Sequence, residues 1–166
     1  QYPSIAVDDD ENFIITWVDF RSENTAIYAQ RFSNDGTPIA GNFKVNDDTL
    51  YNYPYYPSVA AFPDGKFVIT WADFRTQGCY DIYAQIYSNE GNPTGSNFKV
   101  NYLSACMNYN PVVVCKPNGD FIICWGDAGE DSYKNAKHSD KHVQEGFTEY
   151  TKDGIQIRKL AGEPDI

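Results

Sequence analysis

The stretch Phe13-Ile14-Ile15-Thr16-Trp17-Val18-Asp19-Phe20-Arg21 returns 54 residues later as Phe67-Val68-Ile69-Thr70-Trp71-Ala72-Asp73-Phe74-Arg75. It comes back once more as Phe121-Ile122-Ile123-Cys124-Trp125-Gly126-Asp127, without the arginine. Upstream of it, Tyr2-Pro3-Ser4-Ile5-Ala6 matches Tyr56-Pro57-Ser58-Val59-Ala60 and, more loosely, Asn110-Pro111-Val112-Val113-Val114. Downstream, Ile27-Tyr28-Ala29-Gln30 matches Ile82-Tyr83-Ala84-Gln85, and Asn42-Phe43-Lys44-Val45-Asn46 matches Asn97-Phe98-Lys99-Val100-Asn101. The chain of 166 residues therefore reads as repeats over about 1–54, 55–108 and 109–162, with the start of a fourth at 163–166.

Each repeat holds four short runs rich in β-branched and aromatic residues, separated by Pro, Asn, Asp and Gly, and none shows helical periodicity. In the second repeat the strands are expected at about Ser58–Ala61, Lys66–Asp73, Asp81–Tyr87 and Asn97–Asn101. Four antiparallel strands in roughly 50 residues is the size of one propeller blade. A lone blade cannot cover both faces and must stack on neighbours. The expected fold class is all-β: three four-stranded β-propeller blades, forming a partial propeller or one completed by further blades of the same chain or by homo-oligomerisation.

Composition agrees. Aromatics make up 16% of the chain and hydrophobic residues 42%, enough for a core built from Val, Ile and rings. The net charge of −10, with no basic stripe, argues against nucleic acid and anionic membrane as partners. No apolar run is long enough to span a bilayer. Gln1 in first position suggests a processed product or a fragment of a longer protein.

At the quoted motifs the chain resembles the W-x-D-x-R and D-I-Y-A-Q repeats of large secreted bacterial surface proteins. That resemblance implies a propeller fold and an extracellular or cell-surface setting. The turn Ser33-Asn34-Asp35-Gly36-Thr37 also resembles a degraded Asp-box of sialidase-type propellers, with its Gly one position early and its aromatic missing.

Strand alternation puts Trp17, Asp19 and Arg21 on one face. With Trp71, Asp73 and Arg75 repeating the set, and Trp125 and Asp127 keeping part of it, the first reading is a structural clasp. The second is an arginine rim that would hold a carboxylate ligand bidentately. The loops joining the fourth strand of one repeat to the first of the next, and those joining second to third strands, share one rim, which gathers Tyr51, Tyr53 and Tyr55 near Asp19, Arg21, Asp73 and Arg75, with Tyr109 before the third repeat. Such a rim suits stacking on sugar rings or docking an extracellular protein, while interblade packing is the plainer use of the same rings.

Cys79 and Cys106 fall on that rim and form a disulfide candidate. Cys115 and Cys124 are expected as buried free thiols on adjacent strands, with Cys115 facing Ile122. His138 and His142 lie in a polar segment, Gly129–His142, expected to be an exposed loop. No metal site is expected, since the acidic run Asp8-Asp9-Asp10-Glu11 reads as a turn before it reads as a Ca²⁺ loop. No catalytic set appears. The leading function is a non-catalytic extracellular scaffold that binds glycan or protein. A fragment of a sialidase-like glycoside hydrolase and a structural part of a cell-surface assembly are the alternatives.

Overall fold

The computed structural model describes residues 1–21, 25–47, 53–76, 78–101, 107–127, 144–150 and 156–160, with side chains at 76, 127 and beyond 143 left aside. Its described segments form twelve strands and no helix: β1 (Ser4–Val7), β2 (Phe13–Asp19), β3 (Ala26–Phe32), β4 (Pro38–Lys44), β5 (Tyr55–Ala61), β6 (Phe67–Thr76), β7 (Cys79–Tyr87), β8 (Pro93–Lys99), β9 (Asn108–Cys115), β10 (Phe121–Asp127), β11 (Gln144–Tyr150) and β12 (Gln156–Leu160). They pair as three four-stranded sheets, β1-β2-β3-β4, β5-β6-β7-β8 and β9-β10-β11-β12. Every neighbouring pair in them is antiparallel. Each repeat is thus one meander, or blade. The outer strand of the second blade starts at Pro93 and ends at Lys99, earlier than the expected Asn97–Asn101.

Turn chemistry closes the hairpins. In Phe62–Lys66 the Phe62 amide donates to the Lys66 carbonyl at 2.8 Å and the Gly65 amide to the Phe62 carbonyl at 3.0 Å, with Gly65 at φ 80°. The first blade makes the same turn with Glu11 at φ 63°, a left-handed conformation that costs a residue with a Cβ. There the Asp8 carboxylate accepts from the Asp10 and Asn12 amides, at 3.0 and 2.9 Å. The acidic run is therefore used as a turn. Among the described residues no group of three metal-ligating side chains assembles.

The repeated motif residues hold the blades together. Gln85 reaches with Nε2 the carbonyls of Ile86, Thr94 and Gly95, at 2.9, 3.1 and 3.3 Å, pinning the irregularity between Ala84 and Ile86 in the β7–β8 pairing. Gln30 does the same in the first blade. Asn46 and Asn101, both buried, accept from the Ile27 and Ile82 amides at 2.8 and 2.7 Å and so extend the ladder beyond the outer strand.

The inner strands β1, β5 and β9 lie beside one another and the blades stack in sequence order. One core layer joins Ile14, Val18, Ile27, Ala29 and Val45 of the first blade to Val59, Phe67, Ile69 and Trp71 of the second. Another joins Ala60, Val68, Ala72 and Ile82 to Val113, Phe121, Ile123 and Trp125 of the third. Each fully buried side chain of this size contributes roughly 1.5–3 kcal/mol through apolar surface withdrawn from water. The middle blade is covered on both faces. The outer faces of the end blades are not, and Ile5, Val7, Val112 and Val114 are 60%, 59%, 50% and 52% exposed.

That arrangement corrects one expectation. Cys115 and Cys124 are free, but Cys115 stands opposite Phe121 rather than Ile122, and Cys124 is exposed. Cys124 occupies the place of Thr16 and Thr70, both fully buried, yet lies on the uncovered face of the third blade. Cys79 is disulfide-bonded. Its expected partner Cys106 lies outside the described residues, as do Tyr51, the segment Gly129–His142 and the start of a fourth repeat. Among the described residues no helix is long and apolar enough to cross a membrane.

Candidate functional site

Trp71 and Trp17 anchor the clasp expected from the repeats. Trp71 Nε1 donates to Asp73 Oδ2 at 2.9 Å, and Arg75 gives the same carboxylate its backbone amide at 2.9 Å, Nε at 3.0 Å and Nη2 at 2.7 Å. Arg75 then crosses to the preceding blade, Nη1 to Asp47 Oδ1 at 2.8 Å, while its guanidinium carbon lies 4.0 Å from the centre of the Tyr83 ring. Burial alone would lower the Arg75 pKa, but the hydrogen bonds to Asp73 and Asp47 outweigh it and raise the value. In the first blade Trp17, Asp19 and Arg21 repeat the set, with Trp17 to Asp19 at 3.0 Å and Arg21 Nε to Asp19 at 2.7 Å. The Arg21 hydrogen bond is the main reason that the Asp19 carboxyl is held down at about 2. These charges are occupied with one another.

A separate cavity of about 530 Å³ opens on the rim at the starts of β5, β7 and β9. Tyr2, Tyr55, Tyr56, Tyr80 and Tyr109 line it, with Asn110 as its other polar side chain. Of the sequence-predicted rim residues, Tyr55 and Tyr109 enter this lining, while Asp19, Arg21, Tyr53, Asp73 and Arg75 do not. Sequence reasoning missed Tyr80 and Met107 altogether. Tyr80 arrives because its strand makes a parallel bridge to Met107 and its carbonyl accepts from Asn108 Nδ2 at 3.0 Å.

The backbone at this site is unusual. Tyr2, Tyr56 and Asn110 are repeat-equivalent, each precedes a proline, and each has positive φ, at 51°, 55° and 50°. Non-glycine residues there carry strain of about 1–3 kcal/mol, which persists only where the surroundings impose it. The strain aims successive side chains at one opening. Tyr2 and Tyr56 meet with ring centres 5.1 Å apart, and Tyr55 lies 6.2 Å from Tyr2. Gly126 makes room for the Tyr109 ring, since a Cβ there would sit 3.3 Å from it. Burial, followed by the neighbouring Tyr55 and Tyr56, raises the Tyr80 pKa.

Among the described residues the cavity lining contains no acidic or basic side chain. It offers ring faces, hydroxyls and one amide. Aromatic rings with polar tips suit a ligand with an apolar face and hydroxyls at its edge.

No protein-family model matches the chain, and no curated protein does. Solved structures match its fold. A Hadza microbial sialidase has a TM-score of 0.66 at 11% identity over 96% of this chain and 37% of its own. An α-L-arabinofuranosidase from Fusarium graminearum has 0.65 at 11% over 95% and 48%. An α-L-arabinanase from Penicillium chrysogenum, complexed with arabinobiose, has 0.61 at 14% over 95% and 49%. These are β-propeller glycosidases, and the chain spans half of their length or less. The fold is therefore that of a partial β-propeller, and identities this low speak to fold alone.

Proposed function

We propose that this chain is an extracellular, non-catalytic propeller segment that binds a neutral glycan in the tyrosine-lined cavity. One observation carries the reading: five tyrosines and an asparagine converge there from three successive blades, with no charged side chain among the described residues of the lining. Glycoside hydrolysis in its common form uses a pair of carboxylates flanking the bond, and the described residues of the cavity lining supply neither. An acidic sugar would want a free cationic group, whereas Arg75 is spent on Asp73 and Asp47, and the net charge of −10 repels anions.

The sialidase-like reading keeps one supporting observation, the likeness to glycosidase propellers. It applies to a larger protein, whose additional blades would have to bring the catalytic groups. Calorimetric titration of the chain with neutral and sialylated oligosaccharides tests both. Binding of a neutral oligosaccharide that weakens about tenfold in Tyr56→Ala and Tyr109→Ala supports the proposal, since each lost stacking contact is worth on the order of 1 kcal/mol. Binding confined to sialosides, or a neutral-sugar affinity indifferent to both substitutions, contradicts it.

A further inference from the structure

We propose that the face of the first blade bearing Ile5, Val7 and Trp17 is a docking surface for a further blade of the same repeat type, one that presents a serine hydroxyl to the Ile5 strand and a carboxylate to Arg21. This goes beyond the cavity reading and does not depend on it.

The same face is occupied in the other two blades. Val59, Phe67, Ile69 and Trp71 are buried against the first blade, and Val113, Phe121, Ile123 and Trp125 against the second. Their counterparts in the first blade are Ile5, Phe13, Ile15 and Trp17, which are exposed or half-buried. Phe67 and Tyr87 stack at 4.8 Å and are covered by Phe43 of the preceding blade, 5.2 Å from Tyr87. Phe13 and Phe32 form the same stack at 4.9 Å, with no ring of a preceding blade over it among the described residues.

The polar contacts at the two occupied interfaces specify the occupant. Ser4 Oγ accepts from the Val59 amide at 3.3 Å, and Ser58 Oγ accepts from the Val113 amide at 3.2 Å. Asp47, in the connection that follows the first blade, holds Arg75 of the second. Where the third repeat has Gly129 in place of the arginine, the corresponding connection has Tyr102 in place of the aspartate. Arginine and carboxylate therefore occur together and are lost together within this one chain. The first blade keeps its arginine, yet Arg21 is 61% exposed against 19% for Arg75, and no counterpart of Asp47 reaches it among the described residues.

A second copy of the chain is a poorer occupant. The complementary face it leaves uncovered is that of the third blade, which presents Val112 where Ser4 and Ser58 carry the hydroxyl.

The test adds one blade to the full chain: a duplicate of residues 1–54 fused ahead of Gln1, which brings its own Ser4 and Asp47 to the open face. Expected are a higher unfolding temperature and a several-fold fall in acrylamide quenching of Trp17, read in Trp71→Phe, Trp125→Phe backgrounds with the added blade's own copy of Trp17 also replaced by Phe. Both gains shrink when the added blade carries Ser4→Val and Asp47→Ala. An added blade that protects Trp17 equally well with those two substitutions overturns the stated recognition. Sedimentation of the unfused chain supplies the second arm. A monomer across the micromolar range agrees with the proposal, and a dimer abolished by Ile5→Glu or Val114→Glu assigns the face to a second copy instead.

Discussion

Asp47 of the first blade accepts the Arg75 guanidinium of the second at 2.8 Å, although the two residues stand far apart in sequence and belong to different sheets. Arg75 is already bound to Asp73 within its own blade. One cation therefore locks a strand end and a blade boundary together, and its counterpart Arg21 locks only the strand end.

That difference fixes the ranking of two equivalent substitutions. Asp73 is fully buried, so Asp73→Asn leaves Arg75 without its main counter-charge and is expected to cost about 3 kcal/mol. Asp19→Asn is expected to cost about 1 kcal/mol, because exposed Arg21 falls back on water. Urea unfolding midpoints of the two variants check the order. The Asp19 carboxyl is also depressed to about 2, chiefly by the Arg21 hydrogen bond. A lowered carboxylate stabilises the fold above its ordinary pKa near ~4 and loses that contribution as pH falls. An acid titration should show wild type losing its advantage over Asp19→Asn between about pH 4 and 2.

Burial by the neighbouring blade separates Ile69 from Ile15. Ile69 is fully buried between blades, and Ile69→Ala is expected to cost about 3 kcal/mol through lost contacts and a cavity. Ile15→Ala, on the uncovered face, should cost about 1 kcal/mol or less. Equal costs would mean that the two faces are buried alike.

Native-state thiol labelling reads the opposite end. Cys124 is exposed and should react first, while burial pushes the Cys115 thiol up to about 12 and should leave it slow until the protein unfolds. Under denaturing, non-reducing conditions, two free thiols agree with a Cys79–Cys106 disulfide, and four remove it.

The repeats made much of this legible. Trp17 and Trp71 with their aspartates and arginines announce a strand, its face and its recurrence, so the sheets and the clasp follow from spacing. The cavity was harder to see. Tyr55 and Tyr109 could be placed on a rim by topology, but Tyr80 comes from the start of β7, and no local pattern marks where a strand-end residue meets a neighbouring blade. Cys124 shows a second limit: alternation assigns its face, yet whether that face is covered depends on which blades stand beside it. The pairing of Asp47 with Arg75 did leave a trace, in Tyr102 and Gly129.

Backbone strain offers a gain of stability at one site. Glu11 sits at φ 63° where the other two blades have Gly65 and Gly119, at 80° and 88°. Glu11→Gly is expected to stabilise the protein by about 1 kcal/mol, because glycine adopts that conformation without steric cost. Thermal unfolding of the single variant measures it.

The central claim is that successive blades stack face to face, and inter-ring proton contacts in solution test it most directly. Nuclear Overhauser spectra of ring-labelled protein should connect Phe43 with Tyr87 and Phe62 with Phe121, whose ring centres are 5.2 and 5.9 Å apart across the two blade boundaries. The within-blade stacks Phe13–Phe32 and Phe67–Tyr87, at 4.9 and 4.8 Å, serve as controls. Cross-blade peaks of strength comparable to the controls are the predicted result. Strong within-blade peaks with none across the boundaries would contradict the stacking, and with it the shared core, the clasp to Asp47 and the tyrosine cavity.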